Sequence, residues 1–297
     1  MKMIYLKNTG TMKTPTFNNI IEKLNKFWQK NGCIILQPAD NEMGAATFHP
    51  ATFINAITNK PFKAAYTQIS KRPFDLKHNE NSNKNTFFHQ YQVVIKPSNY
   101  NIQDLYLLSL RSVGINIYNN DIKFIEDNWS SPTLGATGIG WEIRLNGIEV
   151  TQFTYFQQMG GIECNTTMVE IAYGLERLAL HIQKISNINE IIFDNTKEGP
   201  VKYGEIFNDY EKEYNNYIKY NIDIDTLDKE FNYIESKITK LLNNNLTLIS
   251  YDYLIKLSHI FNLIDSRITH GFTRQNYISR IKCLAEKIAH CIKKNDK

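Results

Sequence analysis

The sequence predicts an α+β domain over roughly residues 1–200, followed by a helical domain over roughly residues 201–297. Three observations lead to this prediction. Apolar strand segments alternate with amphipathic helices through the first 200 residues, and an Asn146-Gly147 dipeptide indicates a tight antiparallel hairpin. Beyond about residue 200 the strand signals fade and only helical stripes continue.

The first helix follows Thr14-Pro15, a capping residue with proline at the first helical position. It ends at Asn31-Gly32, and a short apolar strand over residues 33–36 then stops before Pro38. Apolar residues at helical spacing form the buried face expected of this helix: Phe17, Ile20, Ile21, Leu24, Phe27 and Trp28.

A pair of strands comes next, over residues 64–70 and 89–96. The polar stretch between them, residues 75–85, has almost nothing to bury, so we expect two antiparallel strands joined by a long loop. Structureless loops of this length are uncommon in compact domains and are often functional.

The remaining elements follow from the same periodicities. A helix is predicted over residues 102–111, a helix over 172–182, and strands over 122–125, 141–145, 149–156 and 169–172. The C-terminal region carries three helical stripes, which comprise Leu227, Phe231, Ile234, Ile238 and Leu241; Leu254, Leu257, Phe261 and Ile264; and Ile278, Ile281, Ala285, Ile288 and Ile292.

Composition excludes wholesale disorder, because 42% of the residues are apolar and 22% are charged. A net charge of +4 does not by itself predict nucleic-acid binding. The chain lacks an 18-residue apolar run and an apolar signal core at its N-terminus, so we expect a cytoplasmic protein without membrane association. Its four cysteines form no CxxC pair and are predicted to be reduced structural thiols.

Arg177 lies in the first turn of the predicted helix over residues 172–182, where the helix dipole disfavours a cation. Two interpretations remain open. The arginine forms a salt bridge within the helix or to a neighbouring strand, or it faces an anion such as a phosphate, which both a guanidinium and a helix N-terminus bind well.

The strand pair offers a second set of basic residues, comprising Lys71 and Arg72 at the start of the loop and Lys77, His78 and Lys84 within it. The segment is either a solvated surface hairpin or a phosphate-binding loop. Phe87, Phe88 and Tyr91 on the return strand are either core residues or rings that stack on a base.

Glu142 and Glu149 flank the Asn146-Gly147 turn. They are either exposed strand residues or a pair of carboxylates that holds Mg²⁺ between phosphates.

These features, in chain order, resemble motifs 1, 2 and 3 of class II aminoacyl-tRNA synthetases. A more specific resemblance, over roughly residues 16–295, is to the alpha subunit of the bacterial two-subunit glycyl-tRNA synthetases. It is carried by the stretches NGCIILQP, HQYQVVIKPS, FIEDNW, SPTLGA, LNGIEVTQFTYFQQMGGIEC and YGLERLA. It implies a class II antiparallel sheet flanked by helices.

The resemblance implies the nucleotide site. Arg72 matches the motif 2 arginine that holds the ATP α-phosphate and the substrate carboxylate. Arg177 matches the motif 3 arginine that holds the γ-phosphate. Tyr91, or alternatively Phe88, matches the ring that lies under adenine.

The resemblance also implies the metal and glycine sites. Glu142 and Glu149 resemble Mg²⁺-binding acids that other class II enzymes place seven residues apart around an Asn-Gly turn. Glu170 resembles the acid that holds the substrate ammonium in the related alanyl enzyme, and Trp129 resembles the tryptophan of its pocket. Further candidates for the glycine pocket are Gln92, Thr151 and Gln157.

The implied activity is that of a glycine–tRNA ligase, which forms glycyl-adenylate from glycine and ATP and then glycyl-tRNA(Gly). Only about 115 residues follow motif 3, and they contain no recognisable anticodon-binding module. We therefore expect dependence on a beta subunit for tRNA, in an α₂β₂ assembly whose alpha homodimer contact involves the first helix.

The chain departs from the family at four places. Lys71-Arg72 stands where two arginines are common, and the basic residues of the motif 2 loop are fewer or moved. Thr137 stands where tryptophan is common, and the first dozen residues match nothing recognisable. Two alternative functions stay open: a paralogue that retains the fold as a regulatory or tRNA-binding subunit, and a ligase that passes its adenylate to another acceptor.

Overall fold

A computed structural model describes residues 14–74, 85–267 and 271–296 of the chain. Its main sheet has eight strands in that part of the chain, in the order β1-β2-β3-β8-β6-β5-β4, with β7 paired to β6. The strands are β1 (Ile34–Ile35), β2 (Phe62–Lys71), β3 (Phe87–Lys96), β4 (Ile122–Ser131), β5 (Ala136–Leu145), β6 (Ile148–Met159), β7 (Ile162–Glu163) and β8 (Val169–Gly174). All pairs are antiparallel except β1 with β2.

Helices cover both faces of this sheet. They are α1 (Phe17–Lys30), α2 (Pro50–Ile57), α3 (Ile102–Val113), α4 (Leu175–Gln183), α5 (Tyr203–Asn216), α6 (Ile224–Asn243), α7 (Thr247–Asp265) and α8 (Gly271–Asn295). Short 3-10 helices lie at Ala46–Phe48 and Ile188–Glu190, a π-helical turn follows α5 at Tyr217–Asn221, and β9 (Ile192–Asn195) pairs with β10 (Pro200–Lys202). The prediction of an α+β fold with an antiparallel sheet and C-terminal helices is confirmed.

The two faces of the sheet pack against different helices. Because side chains alternate along a strand, Tyr91, Val93 and Ile95 of β3 face the core beneath α1, α3 and α4. Val94 faces the opposite core, which contains α2 and the C-terminal helices. The β2–β3 pair runs in register from Phe62 opposite Lys96 to Lys71 opposite Phe87, which confirms the predicted antiparallel pair.

The predicted hairpin turn is also present, since Asn146 and Gly147 both adopt positive φ angles, of 51° and 85°. The helix predicted from residue 172 begins instead at Leu175. Residues 172–174 complete β8, where they pair with β3 on one side and, up to residue 173, with β6 on the other. Helices α2 and α5 were not predicted from the sequence.

Leu241 is only partly buried. The other members of the three predicted C-terminal stripes are buried on α6, α7 and α8. They belong to one apolar cluster with Phe53 of α2 and Phe156 of β6. The division into domains at residue 200 stays a prediction.

All four cysteines are free thiols, as predicted. Within the described residues no helix combines the length and apolarity that crossing a membrane requires. Lys77, His78 and Lys84, predicted as basic loop residues, lie outside the described residues.

Candidate active site

A cavity of about 530 Å³ lies beside β3, β8 and β6 and reaches the segment after β2 and the start of α4. Its lining brings together seven of the predicted site residues, which are Arg72, Phe88, Trp129, Glu149, Thr151, Glu170 and Arg177. They come from β3, β4, β6, β8, α4 and the end of β2, so the chain folds distant segments around one space.

Arg177 projects from the first turn of α4, and its Nη1 donates to the backbone oxygen and to Oε2 of Glu149, both at 2.8 Å. The salt bridge considered from the sequence is therefore present. It leaves 41% of the Arg177 side chain exposed at the cavity, so the guanidinium remains accessible to an anion. The two interpretations of this arginine are compatible.

Arg72 lies directly after β2 and is exposed. Its Nε donates to the backbone oxygen of Gly44 at 2.8 Å, and its guanidinium carbon lies 4.8 Å from the centroid of the Phe88 ring. Stacking on an aromatic ring orients the planar guanidinium. This places Arg72 and Phe88 beside each other at the cavity.

The structure corrects the ring predicted to lie under adenine. Tyr91 is fully buried on the other face of the sheet, where its hydroxyl donates to Asn25 and its ring packs against Tyr173. Phe88, the alternative, lines the cavity. The two residues differ in face because three positions along a strand reverse the direction of the side chain.

Glu170 lies on β8 at the bottom of the cavity and is only 2% exposed. Its Oε2 accepts from the Thr47 hydroxyl at 2.9 Å, and its Oε1 accepts from the amide of Gln92. Burial raises the pKa of this carboxyl to about 8, since desolvation outweighs the two hydrogen bonds that favour the ionised form. The cavity therefore contains a buried carboxyl group whose two hydrogen-bond donors are neutral.

The other residues predicted for the glycine pocket occupy different places. Trp129 lines the cavity, whereas Gln92 is fully buried and contacts it through Glu170. Thr151 also lines it, but its hydroxyl oxygen accepts from Tyr106 at 2.9 Å. Gln157 does not line it: the side chain is exposed near the β6–β7 turn, so this prediction is corrected.

Glu142 and Glu149 are placed on one side of the sheet by the β5–β6 pairing. Glu142 lies opposite Gln152, which lines the cavity, and Glu149 lies opposite Arg144. Each carboxylate meets an arginine, at 2.5 Å between Glu142 and Arg144 and at 2.8 Å between Glu149 and Arg177. Glu142 itself is not among the residues that line the cavity.

Their chemistry fits a hard divalent cation, because Mg²⁺ prefers carboxylate oxygens and retains other ligands from phosphates and water. The described residues contain no cluster of three or more metal-ligating side chains. Glu142 and Glu149 would thus hold a Mg²⁺ ion together with oxygen ligands from outside the protein.

Several residues of the site were missed by the sequence analysis. Thr47 contacts Glu170, and Thr154 of β6, opposite Glu170 in register, has a buried hydroxyl without a partner. Gln90 accepts from the Ala46 amide and the Ser70 hydroxyl. Gln90 and Gln92, two positions apart on β3, were the one sequence signal for a polar patch on this face.

Glu176, next to Arg177, is buried at the edge of the cavity. Its Oε1 accepts from the backbone amide and from Nδ1 of His89, at 2.8 and 2.7 Å, and from the Tyr203 hydroxyl at 3.0 Å. The carboxylate thereby joins α4 to β3 and α5.

Comparison with known proteins gives one family model that matches residues 17–297, described as the glycyl-tRNA synthetase alpha subunit. Among solved structures, PylSc, a pyrrolysyl-tRNA synthetase of Desulfitobacterium hafniense, is similar with 13% identity over 60% of this chain and 72% of that chain, at a TM-score of 0.43. A second structure of pyrrolysyl-tRNA synthetase from the same organism has 12% identity, covering 61% of this chain and 74% of that one, also at 0.43.

Proposed function

Because the chain belongs to the glycyl-tRNA synthetase alpha subunit family, we propose that it activates glycine with ATP and, with a beta subunit, transfers glycine to the 3′ end of tRNA(Gly). Family membership identifies the chain as part of an aminoacyl-tRNA ligase. The observation that most supports the finer proposal is that Arg72, Arg177 and Glu170 line one cavity.

The nucleotide occupies the side of the cavity nearest α4 in this proposal. Adenine stacks on Phe88, Arg72 holds the α-phosphate, and Arg177 holds the γ-phosphate. Guanidinium groups suit phosphate because their parallel N–H donors match its oxygens. The hydrogen bond from Arg72 to Gly44 and the ion pair from Arg177 to Glu149 hold the two guanidinium groups in position before the nucleotide binds.

Glycine binds at the bottom of the cavity. Its ammonium pairs with Glu170, whose charge is favourable once a cation compensates the burial. Since glycine has no side chain to grip, selection depends on leaving no space beside its α-carbon, and Trp129 excludes larger amino acids there by steric contact.

Activation is a substitution at phosphorus. A carboxylate oxygen of glycine forms a bond to the α-phosphorus of ATP, and the bond to the bridging oxygen breaks, which releases pyrophosphate with its electron pair. The carboxylate is already ionised near neutral pH, so no general base is required. Arg72 stabilises charge on the α-phosphate and Arg177 holds the departing pyrophosphate, so that catalysis consists of positioning and electrostatic stabilisation.

Glu142 and Glu149 would hold Mg²⁺, which supplies positive charge to the phosphate oxygens of ATP. In the structure the two carboxylates pair with Arg144 and Arg177. The exposed part of the Arg177 guanidinium would bind the phosphate while this ion pair is kept.

The partners follow from the description of the family as an alpha subunit. We propose that a beta subunit supplies most of the tRNA recognition, that two alpha chains associate through α1, and that the assembly is α₂β₂ in the cytoplasm. The second step transfers glycine from the adenylate to the 3′-terminal adenosine and releases AMP.

ATP–pyrophosphate exchange measured with each of the twenty amino acids tests the proposal. We expect exchange with glycine alone, and weak or absent exchange with alanine and serine, whose side chains meet Trp129. Exchange with a different amino acid, or with none in the presence of the beta subunit, would overturn it and would favour the paralogue or the alternative ligase.

A further inference from the structure

Helix α5 contacts three segments of the candidate site through one of its faces. The contacts are made by Tyr203, Tyr210 and Glu211, which are spaced at i, i+7 and i+8 and therefore lie on the same side of the helix. The face continues through Phe207, whose ring packs 5.5 Å from the rings of Phe87 and His89.

The first contact is at the start of α4. The Tyr203 hydroxyl donates to Glu176 at 3.0 Å, and Glu176 immediately precedes Arg177. Tyr203 is fully buried, so its hydroxyl cannot exchange this carboxylate for water without opening the core.

The second contact is at the end of β2. The Tyr210 hydroxyl accepts from Lys71 Nζ at 2.8 Å, and Lys71 immediately precedes Arg72. The same ammonium pairs with Glu42 and lies 5.4 and 5.3 Å from the ring centroids of Tyr210 and Tyr214. Lys71 is thus held between the segment around Glu42 and α5.

The third contact is at the start of β3. Glu211, which is buried, accepts from the Thr86 backbone amide at 2.7 Å and from the Thr86 hydroxyl at 2.9 Å on each carboxylate oxygen. Thr86 is two residues before Phe88. Tyr210 and Glu211, consecutive in sequence, therefore hold the two strands of one hairpin at the end where residues 72–86 connect them.

We propose that Tyr203, Tyr210 and Glu211 are positioning residues, which hold the segments carrying Arg177, Arg72 and Phe88 in the arrangement that ATP requires. This inference rests on the proposed function, since those three groups are the proposed ATP contacts. None of the positioning residues touches the nucleotide. A single rigid helix face fixes three segments that are distant in sequence, so a shift of α5 moves all three together.

Positioning by α5 matters because small displacements of the ATP-contacting groups reduce the rate strongly. Groups that stabilise phosphate act through fixed distances, and a displacement of about 1 Å by a residue far from the chemistry can reduce the rate by about a hundredfold. Arg72 and Phe88 lie near the end of a two-stranded projection, where sheet pairing alone restrains them least.

The test uses the full chain and three conservative changes. Tyr203→Phe and Tyr210→Phe remove a hydroxyl and retain the ring, and Glu211→Ala removes both acceptors for Thr86. Matched controls on exposed parts of the same segment are Tyr220→Phe and Glu213→Ala. Glu211→Gln retains one acceptor oxygen for the Thr86 amide and serves as the conservative rescue.

We expect the dissociation constant for MgATP to rise roughly 5- to 30-fold in each of the three variants, less in Glu211→Gln, and less than about twofold in the controls. The dissociation constant for glycine should change by less than about twofold, because Glu170 and Thr47 are not held by α5. Amide hydrogen exchange at Thr86 should accelerate in Glu211→Ala alone.

Two results would overturn the inference. Unchanged MgATP binding in all three variants would show that α5 does not position the site. An equal loss of glycine binding would show a general loss of structure. Failure of the proposed function is a distinct outcome, in which the unmodified chain itself binds no MgATP, and the positioning role would fall with it.

Discussion

Among the cavity residues, Glu170 has a side-chain pKa that burial raises strongly. Its carboxyl is buried, its pKa is raised to about 8, and its hydrogen-bond partners are the neutral groups of Thr47 and Gln92. A folded pKa above the unfolded value means that the folded protein binds this proton more tightly than the unfolded chain does. The residue therefore links stability, pH and ligand binding.

The linkage predicts the sign of a stability change in Glu170→Gln. A carboxyl whose folded pKa exceeds its unfolded value of 4.5 favours the folded state at low pH, and this contribution is lost as pH rises towards 8. We expect Glu170→Gln to gain stability relative to the unmodified chain as pH rises from about 5 towards 7.5, by roughly 1 kcal/mol per pH unit. Urea unfolding at several pH values measures this, and a pH-independent difference would contradict it.

The same substitution should affect the use of glycine far more than the binding of ATP. Gln cannot supply the negative charge that the ammonium of glycine requires, so we expect kcat/KM for glycine to fall by roughly 100-fold or more while ATP binding changes little. In the unmodified chain kcat/KM for glycine should rise with pH up to about 8, as Glu170 ionises, and this limb should be absent in the variant. Equal damage to both substrates would remove Glu170 from the ammonium site.

Arg177→Ala tests the phosphate role of the motif 3 arginine. Removing a charge-assisted contact to phosphate costs about 1.5–3 kcal/mol, so the dissociation constant for ATP should rise roughly 10- to 150-fold. Arg111→Ala on α3 is the matched control, because that arginine contacts Tyr118 outside the cavity. Isothermal titration with MgATP gives the measurement, and an unchanged affinity in Arg177→Ala would reject the role.

At the scale of the element, the β5–β6 hairpin positions Glu142 and Glu149 through its turn. Gly147 has a φ of 85° and nothing within 4 Å of an added Cβ, so the only obstacle to a side chain there is backbone conformation. The turn places Glu142 and Glu149, which are seven residues apart in sequence, on the same side of the sheet.

Gly147→Ala should accordingly lower the free energy of unfolding by about 1–2 kcal/mol, the cost of a left-handed conformation with a Cβ. Gly271→Ala is the control, since Gly271 is equally open but lies outside that conformational region. Chemical denaturation compares the two variants. An equal effect of both substitutions would show that the turn conformation is not the cause.

The sequence predicted strands and amphipathic helices well where one periodicity was clear. It did not place Tyr91, because the segment HQYQVVIK has apolar residues on both faces and alternation alone could not say which face is the core. Helix α5 was overlooked although Tyr203, Phe207, Tyr210 and Tyr214 form a stripe. Its aromatic residues and acids made that stripe less apolar than the three that follow.

At the scale of the whole molecule, the C-terminal helices complete the core beside the sheet. Phe53 of α2 stacks on Tyr251 of α7 with ring centroids 4.2 Å apart, and a Cβ on Gly160 would lie 2.4 Å from the Cβ of Ala289 on α8. The contacts between α5 and the hairpin join the same two regions at the site. The residues that hold the cavity thus come from both sides of the predicted boundary at residue 200.

We therefore expect the two regions to unfold together. Scanning calorimetry should show one cooperative transition, and Phe53→Ala, which removes a ring from the shared core, should destabilise the whole chain by about 3–5 kcal/mol. Two separate transitions, or a stable fragment 1–202, would contradict this expectation and would support independent domains.

The site as a whole could be predicted mainly because long stretches resemble one family, which assigned roles to residues far apart in sequence. The hydrogen bonds that hold these residues could not be predicted. Examples are the bonds from Thr47 to Glu170 and from Thr86 to Glu211. Such contacts join segments 123 and 125 residues apart, and no local pattern encodes them.

The most direct test of the account is a crystal structure of the chain with a non-hydrolysable glycyl-adenylate analogue. We expect adenine against Phe88, the phosphate replacement at Arg72, and the glycyl ammonium within hydrogen-bond distance of Glu170. An analogue bound elsewhere, or bound here with its ammonium directed away from Glu170, would contradict the account.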